Sequence, residues 1–332
     1  MPQRIAKQIL NVIQESEYII LVPHQHPDGD ALGSVTALAD YLERIKKEYV
    51  IFCATDYPEN LSFLEHTEKI TSHVSVWRTN KKLTVILMDS GDPVYAGVDN
   101  LIKKQKNKPT IVNIDHHATN QQYGDYNLVI ESASATTEIL YLFFRHNKIN
   151  ITPNMATSLM TGLITDTGNF SNSGTSRHAL AIASDLSKKH ANVSEIRKQI
   201  FQNKSINGLK VWGTVLSRLS INEQHNIAYT FLTQKDIEES GVSEEELEGI
   251  ANLLNDLNEG NAVLVLKERP EGGVKGSFRT TKDSVDVSLI AKELGGGGHK
   301  KAAGFSLEHT LDEAFDYIFA TISKKQLAFV KA

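Results

Sequence analysis

Apolar residues in the first half of the chain follow two alternating rhythms. Tyr18–Val22, Val50–Ala54, Thr84–Met88 and Thr110–Ile114 are short runs rich in β-branched residues, and they predict strands. Between the first two, Leu32, Val35, Leu38, Ala39 and Leu42 recur every three or four positions, which marks one face of a helix. Residues 1–15, Ala133–Phe144, Pro153–Thr165, Ser176–Ala191 and Val193–Val215 also read as helices. Pro153 suits a first helical turn, where no N–H partner is needed. Strands separated by helical crossovers predict a largely parallel sheet flanked by helices. Ligands of such sheets gather beyond the carboxyl ends of the strands.

The texture changes after residue 225. Ile227–Leu232, Ala262–Leu266 and Val274–Phe278 read as strands, and Ser243–Leu257 as an acidic amphipathic helix. Val285–Leu294 is a short helix that stops at Gly295–Gly298. At 332 residues the chain exceeds the length, about 250–300 residues, at which single cores divide. The expectation is therefore an α/β protein with an N-terminal parallel-sheet domain over 1–190, a helical linker over 191–224 and a smaller α/β domain over 225–332.

Composition narrows the function. With 40% hydrophobic and 23% charged residues, the chain is neither disordered nor a coiled-coil rod. A net charge of −5 argues against a grip on long duplexes through many phosphates; a short nucleic acid held by a few local contacts is more natural. The single cysteine, Cys53, excludes an internal disulfide and a cysteine-based zinc cluster, and it suits a reducing compartment. The N-terminus lacks a signal-cleavage pattern, and no apolar run nears the roughly 20 residues that span a bilayer. A cytoplasmic protein without a membrane partner is expected.

Acidic and imidazole groups recur just past predicted elements. Tyr18–Val22 leads into His24, His26, Asp28 and Asp30; Thr84–Met88 into Asp89 and Asp92; Thr110–Ile114 into Asp115, His116 and His117; and the helix through Leu163 into Asp166. Singly, each also suits a turn or a cap, and Asp30 could simply cap the helix beginning near Ala31. Jointly they suggest one site. Carboxylates and imidazoles without thiolates suit a divalent ion such as Mn²⁺, and two such ions would offset the repulsion of clustered carboxylates.

These residues resemble a known family. His24-x-x-x-Asp28-x-Asp30-x-x-Gly33-Ser34, Asp89-Ser90, Asp115-His116-His117 and Gly162-x-x-x-Asp166-x-Gly168 look like the four motifs of the DHH phosphoesterases. Gly295–Gly298 with His299 looks like the signature of their DHHA1 domain, and Asp115–Asn120 is similar to the nanoRNase/pAp phosphatase group. The resemblance implies one manganese on His24, Asp28 and Asp89, and a second on Asp30, Asp89, His116 and Asp166. It implies that His117 faces the phosphate, that Asp115 supports the histidine pair, and that the site opens into a cleft between the domains. Relatives often carry an arginine several residues after the second motif, where this chain has Asp92-Pro-Val-Tyr95.

In the second domain the glycine run offers backbone N–H groups to an anion without side chains in the way. Gly297, Gly298, His299 and Lys300, with Ser277 and Arg279 upstream, are the candidate phosphate contacts. Phe278 suits either base stacking or the sheet core.

The expected activity is a manganese-dependent phosphoesterase in which Asp89, Asp115, His116 and His117 serve catalysis. It would degrade short single-stranded RNA and dinucleotides to 5′-monophosphates and dephosphorylate 3′-phosphoadenosine 5′-phosphate. A phosphodiesterase of linear or cyclic dinucleotides and a nonhydrolytic nucleotide-binding regulator are the alternatives. A homodimer is compatible with the sequence.

Overall fold

The computed structural model describes all residues except Met1, Ser173, Asn203, Lys204, Ser243, Glu248, Asp256 and 325–332; the side chains of Pro2, Glu244, Glu245 and His299 also lie outside the described set. The chain divides into two compact units, Met1–Asn203 and Lys204–Ala332.

The first unit contains helices α1 (Pro2–Glu15), α2 (Gly29–Arg44), α3 (Asp99–Lys103), α4 (Thr136–His146), α5 (Pro153–Asp166), α6 (Arg177–Lys188) and α7 (Val193–Phe201). Its strands are β1 (Tyr18–Val22), β2 (Tyr49–Phe52), β3 (Ile70–Thr71), β4 (Leu83–Met88), β5 (Thr110–Asp115) and β6 (Tyr126–Val129). They form one sheet in the order β3-β2-β1-β4-β5-β6, and every pairing is parallel.

Alternation along the strands divides the core between the two faces. Ile19, Leu21, Ile86, Met88, Val112 and Ile114 pack with the long helices on one side. Ile20, Val22, Val85 and Leu87 pack on the other with Phe52, Trp77, Ala96 and Val98. That second face is covered by the short 3₁₀ helix Val74–Trp77 and by residues around α3 rather than by long helices. α2 and α5 meet closely: a Cβ on Gly33 would lie 2.4 Å from the Ser158 carbonyl oxygen.

The second unit contains β7 (Ser220–Asn222), β8 (Ile227–Leu232), β9 (Ala262–Glu268), β10 (Val274–Arg279), β11 (Gly297–His299) and β12 (Ala302–Leu307). Its helices are α8 (Ile206–Ser217), α9 (Gln234–Ser240), α10 (Glu244–Leu247), α11 (Ile250–Leu254), α12 (Val287–Glu293) and α13 (Leu311–Lys324). The sheet order is β11-β12-β10-β9-β8-β7, with only β8 and β9 parallel. Leu264 and Leu266 pack toward α12 and α13, while Val263 and Val265 pack toward α8 and α11.

The expected linker over 191–224 contributes helix to both units: Ile196 of α7 joins the first core, and Val211 and Val215 of α8 join a core of the second. The expected single helix Val193–Val215 is thus two helices, and the Ser205 hydroxyl caps the second by accepting from the Gly208 N–H. Ser243–Leu257 likewise holds two short helices, separated at Gly249, whose φ is +95°; its first residue, Ser243, lies outside the described set. Among the described residues, no helix is long and apolar enough to cross a membrane.

Candidate metal centre

The sheet of the first unit delivers its functional groups at the carboxyl ends of β1, β4 and β5. His24 follows β1, Asp89 follows β4, and Asp115 ends β5 immediately before His116 and His117. Helix ends supply the rest. Asp28 is the N-cap of α2, accepting from the N–H groups of Asp30 and Ala31; Asp30 lies in the first turn, and Asp166 is the last residue of α5.

Asp89 is the hub. Its Oδ2 lies 3.6 Å from His24 Nε2, and its Oδ1 lies 3.7 Å from both His116 Nε2 and His117 Nδ1. His24 Nε2 is 3.8 Å from Asp28, and His116 Nε2 is 3.2 Å from Asp166. Three sets have candidate ligand atoms within 4.8 Å of one another: His24, Asp28 and Asp89; Asp30, His116 and Asp166; and Asp89, His116 and His117. The residues predicted from four distant stretches of sequence therefore meet. His26, with φ +50°, donates its backbone N–H to Thr55 and belongs to none of the three sets.

Asp89 adopts a left-handed backbone, φ +59°, at this junction. Aspartate tolerates that region better than most residues, but it remains uncommon outside glycine. Thr136 anchors the side chain, its hydroxyl donating to Asp89 Oδ1 at 2.9 Å. Asp30 is fully buried and accepts three hydrogen bonds: from Thr136 N–H at 2.6 Å, Thr137 N–H at 2.9 Å and the Thr137 hydroxyl at 2.7 Å. The N-cap of α4 is Ala135, which has no capping side chain, so Asp30 caps that helix from across the unit. It does not cap its own helix; Asp28 does. Thr136 and Thr137 are functional neighbours that sequence reasoning missed, because their partners Asp30 and Asp89 lie far back in the chain.

Asp115 supports one histidine rather than two. Its Oδ1 lies 2.8 Å from His117 Nδ1, while Oδ2 accepts from Asn120 Nδ2 at 2.6 Å. His116 Nδ1 instead faces the Ala133 carbonyl at 3.3 Å. These contacts orient both rings, with Nε2 of His116 turned toward Asp89 and Asp166.

The charges explain the site's chemistry. Burial, then the charges of Asp30 and Asp28, push the Asp89 carboxyl well above its ordinary range; burial with Asp30, Asp28 and Asp89 does the same to Asp166. Burial opposes charge on His24, but Asp28 and Asp89 outweigh it and push the imidazole up to about 9. His117 is likewise pushed up to about 9, burial being outweighed chiefly by Asp115. Clustered carboxylates that resist ionisation together, beside imidazoles turned inward, fit divalent cations: positive charge would relieve the repulsion, and the donor set is hard to borderline.

In the second unit, register places Ser277, Gly304 and Gly297 on one sheet face, with Arg279 and Ala302 in the adjoining row. Arg279 Nε donates to Asn252 Oδ1 at 3.1 Å, and burial lowers its pKa. Phe278 points to the opposite face and is fully buried, which settles it as core. Gly297 and His299 bound the edge strand β11, so part of the expected cradle is strand rather than loop. A Cβ at Gly297 would meet nothing within 4 Å, whereas one at Gly298 would lie 2.6 Å from the Ala302 carbonyl oxygen. Lys300 is exposed; the side chain of His299 lies outside the described set.

Residues 18–163 match the DHH family, N-terminal domain, and residues 224–325 match the DHHA1 domain. The chain is 29% identical to the bifunctional oligoribonuclease and PAP phosphatase NrnA of Thermus thermophilus, covering 97% of this chain and 94% of that protein. It is 26% identical to the protein of that name from Bacillus subtilis, covering 95% and 96%. A crystal structure of an exopolyphosphatase-related protein from Bacteroides fragilis shares the fold, with a TM-score of 0.88, 22% identity and 98% of each chain covered.

Proposed function

The chain belongs to the DHH/DHHA1 phosphoesterase family, and we propose that it hydrolyses short oligoribonucleotides in a manganese-dependent reaction. The products are nucleoside 5′-monophosphates, and 3′-phosphoadenosine 5′-phosphate is a second substrate. The observation that carries this reading is the convergence on Asp89 of His24, Asp28, His116 and His117, with Asp30 and Asp166 alongside. Similarity along nearly the whole chain to two proteins described as oligoribonuclease and PAP phosphatase supports the substrate class.

In this reading His24, Asp28 and Asp89 hold one divalent ion, and Asp30, Asp89, His116 and Asp166 hold the other. Such a pair supplies Lewis acidity toward the phosphoryl oxygens and a water of lowered pKa. The protein's own contribution is alignment. Thr136 and Thr137 fix Asp89 and Asp30, while Asp115 and Asn120 fix the His117 ring beside Asp89. His117, whose Nδ1 lies 2.8 Å from Asp115 Oδ1, is suited to donate a hydrogen bond to a nonbridging phosphoryl oxygen and offset charge that develops there. Ser277, Arg279, Gly297, Gly298, His299 and Lys300 are the proposed contacts for a second phosphate or the terminal nucleotide.

A substrate panel in Mn²⁺ tests the reading: an RNA dimer, an RNA 5-mer, 3′-phosphoadenosine 5′-phosphate, a cyclic dinucleotide, pyrophosphate and long single-stranded DNA. Rapid release of mononucleotides from the dimer or 5-mer, with little action on long DNA, is the expected result. Selective hydrolysis of pyrophosphate, or of the cyclic dinucleotide alone, would replace the proposed substrate.

A further inference from the structure

Tyr95 remains 53% exposed beside a buried polar cluster. Its ring stacks on His24, with centroids 5.2 Å apart and planes inclined by 26°. The imidazole packs on one face of the ring. The backbone beneath is held from two directions. The Tyr95 N–H donates to Asp92 Oδ1 at 2.7 Å, and its carbonyl accepts from the Gln25 N–H and from Gln25 Nε2, both at 3.2 Å. Gln25 directly follows His24, so tyrosine and imidazole sit on two loops tied to each other. The hydroxyl makes no hydrogen bond to a described residue.

Packing against His24 accounts for one face of this ring, and among the described residues no second aromatic ring stacks on the other. We propose that the outer face of Tyr95 is a nucleobase platform, stacking on a base of the nucleotide whose phosphate lies at Asp89 and His24. This rests on the phosphoesterase reading above. A ribose separates a base from its phosphate, and the Tyr95 ring lies 5.2 Å from the His24 ring whose Nε2 faces Asp89. Every base presents a π face, so stacking is tolerant of sequence, as degradation of mixed short oligomers requires. A tyrosine with a tethered backbone also provides contact area with little conformational freedom to lose.

The test compares wild type, Tyr95→Phe and Tyr95→Leu at saturating Mn²⁺ on pApA and on two analogues, each with one base replaced by hydrogen. For one of the base positions, the kcat/KM ratio of pApA to the abasic analogue should fall about tenfold in Tyr95→Leu, through KM, and Tyr95→Phe should restore it. Equal losses on all three substrates, or no loss, would overturn the platform and leave the ring a cover for His24. Failure of the phosphoesterase reading has a different signature: the wild type would leave all three substrates intact. In that event anisotropy of labelled pApA decides the platform, which stands if Tyr95→Leu weakens binding about tenfold and Tyr95→Phe does not, and falls otherwise.

Discussion

Gly162 and Asp30 approach so closely that a Cβ on the glycine would lie 2.4 Å from Asp30 Oδ1. The contact joins the middle of α5 to the first turn of α2, and the same Cβ would crowd the Thr137 side chain at 2.5 Å. A flexible neighbour would yield, but Asp30 is pinned by the three hydrogen bonds from Thr136 and Thr137. Glycine inside a helix costs about 1 kcal/mol relative to alanine. Here it leaves room for a carboxylate.

Gly162→Ala should therefore destabilise the protein despite its better helix propensity, by about 1–3 kcal/mol net. Hydrolysis should fall by roughly 100-fold, because small misplacements of a positioned group are expensive. Urea unfolding and steady-state kinetics read the two effects. An alanine variant as stable and as active as wild type would show that Asp30 does not need the space.

Asp89 combines a left-handed backbone with a buried carboxylate repelled by Asp28 and Asp30. Asp89→Asn keeps the shape and an acceptor for the Thr136 hydroxyl while removing the charge. In chelator-treated protein the variant should be more stable than wild type by about 1–2 kcal/mol, and Mn²⁺-supported turnover should fall by roughly a thousandfold. Denaturant midpoints in EDTA and rates with added Mn²⁺ check the pair. Retained turnover would remove Asp89 from the centre of the site.

The glycines before His299 separate structural need from ligand need. A Cβ at Gly296 would lie 2.1 Å from the Gly304 carbonyl oxygen, and Gly296→Ala should cost about 2 kcal/mol or more in thermal unfolding. Gly297 faces open space, so Gly297→Ala should melt within about 0.5 kcal/mol of wild type. If its sheet face receives a phosphate, the added methyl should raise KM for an RNA dimer several-fold. An unchanged KM would move the anion elsewhere.

Arg218 and Asp236 form a two-pronged ion pair, at 2.5 and 2.9 Å, that holds the Asp236 carboxyl down to about 2. A carboxylate depressed in the folded state stabilises fully above its unfolded pKa of about 3.9, and that contribution disappears as pH falls through about 2. Arg218→Met should cost about 1 kcal/mol near pH 6, the pair being partly exposed, and the difference from wild type should shrink between about pH 4 and 2. Guanidinium titrations across that range measure it; a difference independent of pH would mean that Arg218 acts through its packing on Phe231.

Much of the candidate metal centre was legible because parallel strands project their carboxyl ends to one edge, so His24, Asp89 and Asp115–His117 announce themselves after apolar runs. Thr136 and Thr137 were not legible, because threonine opening a helix looks like an ordinary first turn and their partners lie far back in the chain. The split of Val193–Val215 was readable at Ser205, a capping residue passed over because apolar spacing continues across it. Short edge strands such as β3 and β11 carry too few residues to show alternation, and β6 and α13 also escaped the reading. Tyr95 resembled a loop residue until its contact with His24 was visible.

Asp30 has two employers. Because it caps α4 as well as facing the centre, a descendant that had lost all activity would still be selected to retain it. Asp166 is different: its side chain meets His116 and makes no hydrogen bond to another described residue. Among homologues, an intact Asp30 is therefore poor testimony to a living enzyme, and erosion at Asp166 would be the earlier sign of a retired one.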